Sequence, residues 1–261
     1  MFATVASIVL AGLDPNRVHL VDHNVATDNF LFRGNMPTNS STFAYDELMA
    51  LLAVRAANAS LALPANAYLH VVSLNNIADG SDFTAEKKFW KQPQSAALGE
   101  FTNWPLGLSG LLPPQAFLDK AKVKEMASET SNNSVWLVDA IPSHVRSVNT
   151  LMEQLGPDSR PRAVYVHCTA GCDRTGELIG SYMLTNSLEG HDIADTYAHD
   201  ACEPAPAGTF KDGRFPNYYS TSALAWYCIW DAYYGLPNAS AVAGCTAFQD
   251  CKPLGDCHPT L

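Results

Sequence analysis

The chain is poor in charge, and poorer still in positive charge. Only 16% of its 261 residues are charged, and 26 acidic side chains stand against 16 basic ones, for a formal net charge of -10 and a pI near 5.1. A surface of that sign repels nucleic-acid backbones and anionic headgroups at long range, which argues against non-specific nucleic-acid or membrane binding. A local positive pocket remains compatible with it. No low-complexity tract and no internal repeat is visible, which excludes solenoid and fibrous architectures. The apolar stretch Phe2 to Ala11 is too short to cross a bilayer and lacks preceding basic residues, so no stable membrane insertion is expected. No Cys-x-x-Cys pair occurs. Cys168 and Cys172 are four positions apart, so a dithiol oxidoreductase is poorly supported. His167, His191, His199 and His258 are not spaced as a zinc set, and neither metal nor cofactor is expected. The group Cys245, Cys251, Cys257 and His258 has no finger spacing and is read as disulfides or loose thiols rather than zinc ligands.

What is present is a large apolar share, 47% of residues, enough for one domain with a sizeable core. The expected organisation is residues 1–20 as a signal peptide or first strand, then a single domain over 21–261 whose last part, from about 236 to 261, is a cysteine-containing extension. Apolar patterning alternates between strand and helix. Phe30 to Phe32, Tyr68 to Leu74 and Ala163 to Val166 read as strands. Asp46 to Asn58 places Leu48, Leu51, Leu52 and Val54 on one helical face. Val145, Val148, Met152 and Leu155 mark a helix stopped at Gly156, and further helices are expected around Phe117 to Met126 and Asp192 to Ala198. Ser222 to Tyr234, with Trp226, Tyr227, Trp230, Tyr233 and Tyr234, reads as a terminal helix packed on the core. The polar run Ser128 to Ser134 reads as a loop. The lysine clusters at 87, 88 and 91 and at 120, 122 and 124 read as solvated helix surface, and Lys211 and Arg214 as candidates for a pocket rim. This order predicts an α/β architecture with a mostly parallel central sheet flanked by helices.

The chemistry is concentrated in Val166-His167-Cys168-Thr169-Ala170-Gly171-Cys172-Asp173-Arg174-Thr175-Gly176, which lies between a strand and a run with Leu178, Ile179, Tyr182 and Met183 at helical spacing. A loop that opens a helix presents unpaired N–H groups and the positive end of the peptide dipoles, a natural oxyanion site. A free thiol is mostly protonated near neutrality and so a weak nucleophile. The N–H ring and the Arg174 guanidinium would favour the Cys168 thiolate and also stabilise a phosphoryl group in transit. Arg174 can grip two phosphate oxygens at once, as lysine cannot. Thr169, Ala170, Gly171, Cys172, Asp173 and Arg174 are the expected phosphate cradle, with Gly171 and Gly176 allowing tight turns. Thr175 is a candidate hydrogen-bond donor to the sulfur, and His167 a brace for the loop from behind.

His167-Cys168, five residues, then Arg174-Thr175-Gly176 resembles the active-site loop of the protein tyrosine phosphatase superfamily. Asp173 directly before Arg174 is similar to members acting on phosphotyrosine, on phosphoinositides or on both, including the myotubularin-like and bacterial lipid-phosphatase branches. Asn29-Phe30-Leu31-Phe32-Arg33-Gly34-Asn35-Met36-Pro37 resembles the family's early strand and turn. The resemblance runs from about residue 25 to about residue 190, and only the loop is specific. It implies a protein tyrosine phosphatase-like fold and a cysteine-dependent phosphomonoester hydrolase of phosphotyrosine or dual-specificity type, working through a phosphocysteine. A phosphoinositide or inositol-phosphate phosphatase is the first alternative, and an inactive phosphate-binding protein the second. The implied partner is a phosphorylated protein, or a phosphorylated lipid or inositol.

That phosphoinositide-active branch usually carries lysine where this chain has Cys172, which removes a cation and introduces a thiol that could trap oxidised Cys168. The leaving oxygen needs an acid, for which Asp139 and Asp173 are the candidates. Asp139, followed by Ala140-Ile141-Pro142, lies one helix and one strand before Cys168, where the resemblance places a mobile acid loop. It is preferred because an acid should approach from outside the cradle. Asn-x-Ser sequons at Asn39, Asn58, Asn132 and Asn238, with seven cysteines, tilt the expected location toward secreted or lumenal. With Cys168 reduced and Cys172 set aside, Cys202, Cys228, Cys245, Cys251 and Cys257 form an odd set, in which at most two bridges can form.

Overall fold

In the computed structural model, residues 12–39, 42–76, 79–107, 119–186, 188 and 218–234 are described. The expected helix at 192–198, the rim candidates Lys211 and Arg214, the stretch 2–11 and the extension beyond 236 lie outside them.

Alternating aliphatic and aromatic segments build one five-stranded sheet. Its strands are β1 (His19–Asn24), β2 (Asn29–Asn35), β5 (Tyr68–Ser73), β6 (Gly99–Asn103) and β7 (Arg162–Cys168), in spatial order β1-β2-β7-β5-β6. Only β1 runs antiparallel to its neighbour. The pairs β2–β7, β7–β5 and β5–β6 are parallel, as the sequence patterning predicts. Residues of β2, β5 and β7 are almost all buried, the pattern of strands covered on both faces. A short ladder of β3 (Thr38–Asn39) and β4 (Thr42–Phe43) follows β2.

Helices cover the two faces. On one, α1 (Tyr45–Asn58) buries Leu48, Leu52 and Ala56 against Phe30, Phe32, Leu69 and Val71. Each such leucine contributes roughly 1.5–3 kcal/mol by leaving water. Val54, expected on that apolar face, is 52% exposed, because the buried stripe follows positions 48, 52 and 56 and leaves 54 on the far side. Next to it in chain order is α2 (Gly80–Trp90), whose Phe83 and Glu86 are buried. On the other face lie α3 (Lys120–Ala127), the single turn α4 (Trp136–Asp139), α5 (Ile141–Glu153), α6 (Asp173–Asn186) and α7 (Tyr218–Tyr234). Asp119 caps α3 by accepting from the Ala121 N–H at 2.9 Å. Residues 128–135 are loop. The helix read from Val145, Val148 and Met152 is α5, but it ends at Glu153. Leu155 lies beyond it and is largely exposed.

The aromatic terminal segment is helical and buries Trp226 and Tyr227 against the core shared with α6, as expected, with Tyr233 and Tyr234 left outside. Leu13 and Val18 are buried, so the segment from Gly12 is packed against the sheet before the first strand begins at His19. No helix among the described residues is long and apolar enough to cross a membrane.

Candidate active site

Parallel strands place their carboxyl ends at one edge of the sheet, where α/β proteins bind ligands. Here β7 lies in the centre, between β2 and β5, and ends on Cys168 itself. The chain then turns through Thr169 to Cys172 and enters α6 at Asp173, so the first turn of that helix closes the loop. The turn depends on Gly171, whose φ is +76° and whose missing Cβ would lie 2.5 Å from the Gly34 carbonyl oxygen. Gly176, by contrast, is buried inside α6 and is not a turn residue. Its N–H donates to the Cys172 carbonyl at 2.6 Å.

The neighbouring strand ends hold the loop from outside. The Met36 N–H donates to the Thr169 carbonyl at 3.2 Å. Arg33 in β2 donates to the Gly171 carbonyl at 2.8 Å, and Arg17 to the Ala170 carbonyl at 2.7 Å. Two guanidiniums thus take carbonyls on the outside of the turn.

Cys168 is a free thiol, 2% exposed. Arg174 is gripped end-on: Nη1 donates to Asp79 Oδ2 at 2.7 Å and to the Leu74 carbonyl at 3.2 Å, and Nη2 donates to Asp79 Oδ1 at 2.8 Å. Asp79 also accepts from the Asn76 N–H at 2.6 Å and the Thr169 hydroxyl at 2.7 Å. Burial pushes the Asp79 carboxyl up, but the Arg174, Asn76 and Thr169 hydrogen bonds outweigh it and hold the group at about 2, against an ordinary 3.8. A carboxyl depressed on folding stabilises the fold above its unfolded value and loses that contribution as it protonates. The stability gap between the native protein and Asp79→Asn is therefore expected to be constant above about pH 4 and to close as pH falls toward about 2. Denaturant melts across that window measure it.

His167 is fully buried. Its Nε2 lies 2.8 Å from Glu86 Oε1, and Glu86 Oε2 accepts from the Ser73 hydroxyl at 3.0 Å. The ring thus links the end of β7 to a carboxylate on α2. Thr175 is also fully buried, and its hydroxyl has no hydrogen-bond partner, so the bond to sulfur expected from the sequence is not formed in this structure.

The two acid candidates sit differently. Asp139 ends α4, fully buried, with Oδ1 accepting from the Gly107 N–H at 2.8 Å. Ala140 beside it has φ 45° and joins α4 to α5. His144, stacked on Trp104 at 4.5 Å, is driven down to about 4 by burial, which the nearby Asp139 charge only partly offsets. Asp173 opens α6, and burial raises its carboxyl above the usual range while Arg174 pulls the other way.

Cys172 corrects two expectations. It is disulfide-bonded, as is Cys228, so it is not a thiol available to trap Cys168. The remaining cysteines then form an even set of six once Cys168 is left out. Asp79, Glu86, Arg17 and the loop contact of Arg33 escaped the sequence reading. The one local signal for Asp79 was an Asp-Gly pair just past a core strand, which reads as a turn.

Residues 116–201, with this loop near their centre, match the family model for protein-tyrosine phosphatase. That segment is similar to the protein-tyrosine phosphatase family. Two solved structures are also similar. TpbA of P. aeruginosa, crystallised in complex with pTyr, is 14% identical over 95% of this chain and 100% of its own, with a TM-score of 0.38. A PTP-like phytase from Bdellovibrio bacteriovorus is 11% identical over 85% of each chain, with a TM-score of 0.39. No curated protein matches the chain.

Proposed function

We propose that this chain hydrolyses phosphomonoesters through a phosphocysteine on Cys168, with phosphotyrosine or mixed-specificity protein substrates. The observation that carries the reading is a free cysteine at the end of the central strand, one turn from a helix start whose arginine is held flat by Asp79. Cys168 attacks phosphorus in line and the ester oxygen leaves with a proton. Water then attacks the phosphocysteine and returns the thiol. Arg174 and the N–H groups opening α6 carry the charge on the transferring group. Thr169, Ala170, Gly171, Cys172 and Asp173 complete the cradle, and the unpartnered Thr175 hydroxyl supplies a donor for the departing sulfur.

We assign the proton donor to Asp139, whose turn is followed by a positive-φ hinge at Ala140 and flanked by exposed Leu137 and Val138. The raised carboxyl of Asp173 favours a second assignment. The true donor's Asn variant should lose about 10²- to 10³-fold in kcat for an alkyl phosphate and far less for an activated aryl phosphate. Its basic pH limb should flatten. The other variant should keep both features.

A phosphoinositide or inositol-phosphate substrate is the alternative. A metal-free panel of phosphotyrosine peptide, phosphoserine peptide, phosphoinositides and inositol phosphates separates these, with Cys168→Ser as control. Turnover confined to the inositol compounds would move the assignment to that class. Phosphate retained without any turnover would mean an inactive binding protein.

A further inference from the structure

The pair behind the nucleophile is built from two ionisable side chains with no solvent exposure at all, His167 and Glu86. Burying a carboxylate costs several kcal/mol unless it is paired and hydrogen-bonded, so a fully enclosed Glu86 needs a compensating cation or proton. The ring of His167 faces acceptors on both sides. Nε2 meets Glu86 Oε1 at 2.8 Å, and Nδ1 meets the Cys168 carbonyl oxygen at 3.3 Å. A neutral imidazole has one N–H and one lone pair, so it would turn a lone pair toward one of those oxygens. Only the doubly protonated ring donates to both.

The surroundings agree with that charge. The second oxygen of Glu86 accepts from Ser73, whose hydroxyl oxygen in turn accepts from the Asn75 amide at 3.3 Å. Tyr165 stacks on the His167 ring at 5.6 Å and spends its hydroxyl on the Asn35 carbonyl at 2.6 Å, so it does not compete for Glu86. Arg33, whose charge acts on Tyr165, donates to the Gly171 carbonyl. The chain of contacts runs on from Asn75 to Thr169, and from Thr169 to Asp79 and Arg174.

Resting on the phosphatase reading above, we propose that Glu86 is a positioning residue for Cys168: it keeps His167 doubly protonated, and the ring's second N–H holds the peptide at which strand β7 becomes the phosphate loop. Glu86 touches neither substrate nor sulfur. It acts through a ring one residue from the nucleophile, and that ring carries its charge into the site.

Two measurements test this. In the native protein labelled with ¹⁵N-histidine, both ring nitrogens of His167 should report as protonated at neutral pH. In Glu86→Gln, which keeps the shape and removes the charge, the ring should carry one proton. Alkylation of Cys168 by iodoacetamide should then slow by about tenfold, the scale of one charge-assisted hydrogen bond. kcat for an aryl phosphate should fall similarly with KM within about twofold. A singly protonated ring in the native protein overturns the proposal, as does a folded Glu86→Gln that alkylates at the native rate. If that variant does not fold, the native spectrum decides. A doubly protonated ring with slowed alkylation but no turnover of any phosphomonoester would sink the phosphatase reading and leave Glu86 where it is placed here.

Discussion

Replacing Cys168 with serine is expected to lower phosphomonoester turnover by about 10⁴-fold or more, while orthophosphate binding stays within about threefold of the native value. The two readouts separate because they draw on different atoms. Binding depends on the cradle, meaning the N–H groups at the start of α6 and the Arg174 fork, and none of these is removed. Turnover depends on a sulfur that can form a phosphorus bond, and a serine hydroxyl is a far weaker nucleophile than a thiol. Serine differs from cysteine only in carrying oxygen in place of sulfur, and Cys168 is in no disulfide, so the fold is expected to survive the change. Product assays with an aryl phosphate, alongside phosphate competition, check both halves. Turnover within tenfold of native would place the chemistry elsewhere in the molecule.

Arg174→Lys is expected to cost about 10²- to 10³-fold in kcat, the scale seen when one transition-state donor is removed. The charge is conserved, so the loss measures geometry. Arg174 is fixed by two parallel bonds to Asp79 and a third to the Leu74 carbonyl, which orient a plane. A lysine ammonium has no plane to orient and makes one point contact with the Asp79 carboxylate. Kinetics with a single substrate, with a thermal melt as the fold control, measure it. A loss below about threefold would mean that Arg174 acts as a simple countercharge rather than a fork.

Much of the fold is legible in the sequence. The loop is, because its chemistry is compressed into consecutive residues and their types already say nucleophile, turn and fork. The strands around Phe30, Tyr68 and Ala163 were legible because β2, β5 and β7 are covered on both faces and so carry apolar runs such as Phe30 to Phe32 and Ala163 to Val166. β1 and β6 were not. They are edge strands, half covered, and in His19–Asn24 only Leu20 and Val21 are apolar, a composition that a loop could carry equally well. Val54 shows a related limit in a helix: it is apolar, but two residues past Leu52 it lies on the opposite side of α1 from the sheet.

The rest of the site was illegible for a different reason. Asp79 lies 95 residues from Arg174, and Glu86 lies 81 from His167. Local spacing has no access to such pairs, since they meet only because parallel pairing sets the end of β5 beside the end of β7. By itself, the amino-acid order determined which atoms could do chemistry, because reactivity belongs to residue types and to the few peptide units around them. Tertiary structure alone decided which charges answer them, that Cys172 is tied in a disulfide while Cys168 is not, and which acid is buried where. Those are facts of distance, and distance in a parallel sheet is set by strand order rather than by position along the chain.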